Sequence, residues 1–176
     1  MLSTIARENF GEARELRALF ETQLKELYWA EQVMITKLPQ IAETCTSGDL
    51  KLCVLNHIRE TETHVVRLQQ IFNVAGIEAE SKTYDALQCL FKETEGLINN
   101  TKRGVVRDAG IIAALQKIKH YEIACYGTMN AYAKALREEE AVTLLEITLH
   151  EEKEVDQLLS AIAESHINIE AADKEL

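Results

Sequence analysis

The chain has 176 residues, 47% hydrophobic and 27% charged, which is the size and composition of one ordinary domain with a real core. One proline (Pro39) and seven glycines are too few breakers for an all-β fold of tight turns, and no run approaches the roughly 20 apolar residues that span a bilayer. With 29 acidic and 19 basic residues the formal net charge is −10, which argues against nucleic acid as the main partner, because binding phosphates needs a positive surface.

Apolar residues recur at helical spacing almost throughout. A first long helix is expected from about Glu12 to Cys45, with the stripe Leu16, Phe20, Leu24, Leu27, Glu31, Met34 and Leu38 and a kink at Pro39. Thr46-Ser47-Gly48-Asp49 joins a glycine stop to a capping aspartate. A second helix then runs from about Leu50 to Ala75 and stops at Gly76. Ile77 to Lys82 is a polar connection, after which Ser81 or Thr83 caps a shorter helix carrying Leu87, Leu90, Phe91, Leu97 and Ile98, broken by Asn99, Asn100 and Gly104. Asp108 is expected to cap a third long helix built on Ile111, Leu115, Ile118, Glu122, Cys125, Met129, Tyr132 and Leu136.

Nothing in Arg137-Glu138-Glu139-Glu140 breaks a helix. An uninterrupted helix from Asp108 to Ser165 would nevertheless be about 87 Å long, too long for a compact domain. A turn is therefore placed near Glu138, with a fourth long helix from about Glu140 to Ser165. The expectation is a single all-α domain, a ferritin-like four-helix bundle with a short additional helix between the second and third long helices. Its core spans about 12–165, and 166–176 is a helical extension or a loose tail. An up-down-up-down bundle with the short helix outside is the alternative.

The informative residues interrupt the apolar stripes. Glu31 lies between Leu27 and Met34, and Glu122 between Ile118 and Cys125, each at spacings of four and three. His57, Glu60 and His64 share a face of the second helix, and Leu145, Leu149, Glu152, Asp156 and Leu159 share one of the fourth, with Glu151 at its edge. Any one of these is ordinarily a solvated edge residue, or a hydrogen-bonded core histidine. Together they give every long helix a carboxylate near its middle. Carboxylates meeting in a low-dielectric centre repel one another, and bound cations relieve this. One Glu from each of two helices, plus a carboxylate with a second ligand from each of the others, is the di-iron carboxylate pattern. The expected ligands are Glu31, Glu60, His64, Glu122, Glu152 and Asp156, for two metal ions per chain, iron foremost and manganese second, since oxygen and nitrogen donors without thiolates suit these metals. The usual second-ligand spacing is three, not the four seen here, so His57 is an alternative to His64 and Glu151 to Glu152.

At these residues the sequence resembles the YciE/YciF-type ferritin-like family of bacterial stress proteins. The likeness runs from about Phe20 to Ala163. It rests on Glu26-Leu27-Tyr28-Trp29-Ala30-Glu31-Gln32, on His57-Ile58-Arg59-Glu60-Thr61 with Arg67-Leu68, and on Asp108-Ala109-Gly110. Its clearest segment is His120-Tyr121-Glu122-Ile123-Ala124-Cys125-Tyr126-Gly127-Thr128, joined by Glu151-Glu152-Lys153 and Asp156. The resemblance implies a rubrerythrin-like bundle, a homodimer, a dinuclear metal site that includes Glu31, Glu60, Glu122 and Glu152, and a role in stress adaptation. The Arg137 to Glu140 turn lacks the glycine this family leads one to expect.

The leading functional expectation is a metal-binding protein, located in the cytoplasm, that reacts with dioxygen or peroxide and takes electrons from an unidentified donor. Neither a membrane nor an organic substrate is indicated. Tyr28, Tyr121 and Tyr126 lie near the candidate ligands in sequence and are helix-packing residues unless they touch one. A non-catalytic dimeric bundle with a metal-free centre is the alternative. A thiol enzyme built on Cys53 and His57 and an iron-storage cage are weaker readings. Cys45, Cys53, Cys89 and Cys125, without any CxxC pair, read as reduced small hydrophobes.

Overall fold

Helix forms in each of the five places where the apolar period predicts it. The structure, a computed structural model, describes residues 15–173. Its elements are α1 (Leu16–Thr44), α2 (Gly48–Val74), α3 (Asp85–Asn100), α4 (Val105–Leu136), α5 (Glu139–Ile162) and, after a π-helical turn at Ala163–Ile167, α6 (Asn168–Asp173). No strand occurs among the described residues. The expected start of the first helix at Glu12 lies outside them. Residues 166–173 extend the last helix, and Ile167 in the π turn is fully buried.

Three expected caps are corrected. Neither Ser81 nor Thr83 caps α3, whose N-cap is Tyr84 with no side-chain cap bond, and Ser81 Oγ instead donates to Gln32 Oε1 at 2.6 Å. Ser47, rather than Asp49, caps α2: its Oγ accepts from Leu50 N at 3.3 Å, and Asp49 falls in the first turn. Asp108 does not cap α4, which begins three residues earlier. Fully buried, it reaches across to the α1–α2 turn and accepts from Thr46 N at 2.9 Å and Ser47 N at 2.8 Å. One carboxylate thereby satisfies two backbone donors that the turn leaves without helical partners.

The helix ends at Gly76 and Arg137 have one geometry. Ile77 N donates to Phe72 O at 2.9 Å, and Glu138 N to Ala133 O at 3.0 Å, each closing the same six-residue loop. The residue before each donor is left-handed, Gly76 at φ 67° and Arg137 at φ 59°. Arg137 thus fills the position where a glycine is missing, and the turn keeps the usual shape.

The long helices close a ring in which α1 packs on α2, α2 on α5, α5 on α4 and α4 on α1, while α3 lies over α4 and α1. Inside the ring the apolar core is divided. One cluster includes Met34, Leu38, Leu50, Cys53, Phe91, Ile111, Leu115 and Leu159. The other includes Phe20, Leu24, Phe72, Tyr126, Met129 and Leu145. Between them lies a buried polar layer of Glu31, His57, Thr61, His64, Lys119, Glu122, Thr148 and Glu152.

Asp108→Ala should cost about 2 kcal/mol in denaturant unfolding, because two amide donors lose their acceptors. Arg137→Gly should stabilise by about 1 kcal/mol, the penalty of a left-handed non-glycine residue, seen as a rise of a few degrees in Tm.

Candidate metal centre

Four helices deliver the polar layer. Glu31 on α1 sits between the buried Leu27 and Met34. His57 and His64 on α2 stand two turns apart with Thr61 between them, and Thr61 Oγ1 donates back to His57 O at 2.9 Å. Lys119 and Glu122 lie three apart on α4, and Glu152 lies on the buried stripe of α5. Glu31, His64, Glu122 and Glu152 are completely buried, and Lys119 is 1% exposed.

Donor atoms gather into two triads. One atom each from Glu31, His64 and Glu152 lie within 4.8 Å of one another, as do one each from His57, Glu122 and Glu152. Glu152 belongs to both. His64 Nδ1 is 3.4 Å from Glu31 Oε1 and 3.2 Å from Glu152 Oε1. These are ion-pair approaches, not hydrogen bonds: Glu31 Oε2, His64 Nδ1 and Glu152 Oε1 are all buried without a hydrogen-bond partner. Both oxygens of Glu122 also lack one, although Oε2 forms an ion pair with Lys119.

Lys119 is the residue that sequence reasoning missed. Its Nζ donates to Glu152 Oε2 at 2.7 Å and is in close contact with Glu122 Oε2 and His57 Nε2. The signal was present, since Lys119 stands four after Leu115 and three before Glu122 in the buried stripe. A lysine there reads as a solvated side chain until partners are seen. The cross-helix register is equal in the two hairpins: Glu31 faces His64, and Lys119 faces Glu152, each pair 33 residues apart.

Electrostatics follow from this arrangement. Burial disfavours the His64 imidazolium, but the charges of Glu31 and Glu152 outweigh it and push His64 up to about 10. Burial also opposes the Lys119 ammonium, and Glu122 and Glu152 reverse that, holding it above its ordinary value. Glu152 remains ionised despite its burial because Lys119 and His64 flank it. Glu122, desolvated and facing Glu152, is driven strongly toward its protonated form. Burial and the adjacent ammonium keep His57 neutral. The expectation that bound ions relieve the repulsion among these carboxylates is therefore amended: the chain supplies two cations of its own.

Glu60 and Asp156 stand outside both triads. The Glu60 side chain is 43% exposed, and its Oε2 is 3.3 Å from His57 Nδ1. The face of α2 is centred on His57, Thr61 and His64, which leaves Glu60 at its edge. Asp156 is half-buried, with Oδ2 3.5 Å from Nε2 of the exposed His120. Val155, not Asp156, continues the stripe from Glu152. The alternatives at the other positions resolve as follows. Both histidines reach the centre, one in each triad. Glu152 points inward, while Glu151 accepts from Arg67 through both oxygens and lies 3.0 Å from His64 Nε2. Glu60 and Glu151 thus play one part, each holding the outer nitrogen of a histidine so that the inner nitrogen faces the centre.

Of the three tyrosines, only Tyr126 touches a candidate ligand, donating to Glu31 Oε1. Burial, and then the Glu31 charge, drives its phenol well above the ordinary value. Tyr28 OH accepts from Gln69 Nε2 at 2.8 Å, and Tyr121 stacks on Tyr84.

The family description "Domain of unknown function (DUF892)" matches residues 15–172. The chain belongs to the DUF892 family. It is 32% identical over 162 residues to the protein YciF of Escherichia coli strain K12, covering 92% of this chain and 98% of that protein. The crystal structure titled for the E. coli stress protein YciF superposes with a TM-score of 0.85 at 31% identity, over 88% of this chain and 98% of the other. YcfI of Rhodopseudomonas palustris, which carries a provisional structural-protein label, superposes at 0.82 with 32% identity, over 86% and 97%. A Xanthomonas campestris protein at 18% identity shares the fold alone, with a TM-score of 0.69 over 92% and 99%. The ferritin-like bundle expected from the sequence is thus shown, and among the described residues no helix is long and apolar enough to cross a membrane.

All four cysteines are free thiols, and the structure gives no support to a thiol enzyme. Burial pushes Cys45 up to about 12 and Cys53 to about 11, and Cys125, half-buried, also rises to about 11. Cys89 alone is exposed. A disulfide reagent at pH 8 should therefore react promptly with one thiol per native chain and with four after unfolding. Rapid reaction of Cys53 in the native chain would contradict this picture of the core.

Proposed function

We propose that this member of the DUF892 family is a ferritin-like metal-binding protein with a role in stress adaptation. Its centre holds a divalent cation between Glu31, His64 and Glu152, displacing the proton that these two carboxylates otherwise hold on His64, and the His57, Glu122 and Glu152 triad forms the adjoining position. The observation that carries this reading is the buried trio Glu31, His64 and Glu152, which gathers one donor atom of each around a point, within 4.8 Å of one another, and in which Glu31 Oε2, His64 Nδ1 and Glu152 Oε1 have no hydrogen-bond partner. Buried polar atoms left in this way cost free energy that a cation recovers. Glu60 and Asp156, away from that point, are not included in the ligand set.

The donors are two carboxylates and one imidazole, which suits iron or manganese better than zinc or copper(I). Ferrous iron held there would supply electrons to dioxygen or peroxide. The chain's own residues prepare the site in three ways. Arg67 fixes Glu151, which holds His64 by Nε2 and leaves Nδ1 turned inward. Tyr126 fixes Glu31 through its hydroxyl. The apolar clusters on either side keep bulk water away, so each charge acts in a low dielectric.

The second reading is a structural bundle whose centre is neutralised from within. Lys119 and His64 favour it, because they already balance much of the carboxylate charge, and so does the label on the Rhodopseudomonas relative.

Anaerobic titration of metal-stripped chain with Fe(II) or Mn(II) separates the two readings. The metal reading expects bound ion that survives desalting and a rise in Tm of about 5 °C or more at a hundredfold excess over Kd. Glu31→Gln should weaken binding at least about tenfold. A chain that retains no metal and shows no rise in Tm is the structural bundle.

A further inference from the structure

The two triads differ in what fills them. In the first, His64 Nδ1 and Glu152 Oε1 have no hydrogen-bond partner, and Glu31 keeps an unpartnered Oε2 beside the Oε1 that Tyr126 binds. In the second, a single ammonium meets all three members: Lys119 Nζ donates to Glu152 Oε2 at 2.7 Å and contacts Glu122 Oε2 and His57 Nε2. An ammonium has three N–H donors and no lone pair, so three acceptors match it in number, and while charged it cannot itself ligate a metal. Placed among two carboxylates and a neutral imidazole nitrogen, it lies where a cation bound to that triad would have to lie. Its four-carbon stem is buried, so the head has no route to solvent without disturbing the core. Glu60, at His57 Nδ1, leaves Nε2 as the acceptor that faces Lys119.

We propose that Lys119 is a built-in substitute for one of two metal ions, so that this centre takes a single divalent cation, between Glu31, His64 and Glu152. This inference rests on the metal-binding reading of the centre. It narrows the two-ion expectation drawn from the carboxylate pattern to one ion beside one fixed organic cation. Glu152, shared by the triads, then bridges metal and ammonium as it would bridge two metals.

Stoichiometry tests the proposal directly. Wild-type chain, Lys119→Met and Lys119→Glu are each loaded anaerobically with Mn(II), the variants being refolded in its presence. Metal per folded chain is read by native mass spectrometry, and the spectrum by electron paramagnetic resonance. The wild type should hold one ion and give the six-line signal of an isolated Mn(II). At least one variant should hold two and show the broadened, exchange-coupled signal of a pair. Two ions in the wild type overturn the substitution while leaving the metal-binding reading intact. One ion in the wild type and still one in both folded variants also overturns it, because Lys119 would then not be what excludes the second. Metal in none of the three proteins defeats the underlying reading, and the substitution with it. Should neither variant fold, the wild-type count and spectrum decide alone: a single isolated ion supports the proposal, and a coupled pair ends it.

Discussion

Three carboxylates, two imidazoles and an ammonium share a buried layer at the middle of this bundle, and the geometry around them is set by the need to pair their charges. Glu152 is the pivot. Its Oε2 takes a hydrogen bond from Lys119, while its Oε1 faces His64, so two cations from two different helices converge on one side chain of a third. Removing either cation would leave a buried carboxylate uncompensated, the situation that costs folded proteins most. The layer thereby fixes which helix faces which, and at what depth. The apolar clusters above and below it would tolerate other registers, but the polar layer between them would not.

Metal binding and internal neutralisation are therefore two answers to one electrostatic problem, and this chain uses parts of both. In the Glu31–His64–Glu152 triad one donor atom of each residue lies within 4.8 Å of the others, and the side chains are braced by Tyr126, Arg67 and Glu151. In the adjoining triad a lysine already makes the contacts. Bracing costs side-chain freedom, and for a centre that only had to be neutral there would be little reason to hold His64 by its outer nitrogen. That brace favours a ligand-binding centre over a filled one.

How far the sequence could be read depended on whether a residue's role is local. The helices were legible because apolar spacing is a property of each segment alone, and so was the inward aim of Glu31, Glu122 and Glu152, since each interrupts its own stripe. Glu60 looks central from its spacing to His57 and His64, whereas the small Thr61 occupies the middle of the buried face. Lys119 was overlooked for a different reason. Its place in the stripe is local, but its burial is tolerable only through Glu122 on its own helix and Glu152 on another, and spacing alone does not show that both meet it. Asp108 shows the same limit: its helix-start position suggests a cap, yet its partners are the amides of Thr46 and Ser47, more than sixty residues away.

The central claim concerns position, so diffraction tests it most directly. Crystals soaked anaerobically in ferrous or manganous salt and measured at the metal's absorption edge should give one anomalous peak within bonding reach of Glu31, His64 and Glu152, with the Lys119 head group ordered between Glu122 and Glu152 beside it. Carboxylates turned outward to solvent, or anomalous density only at surface acids, would contradict the account at its root.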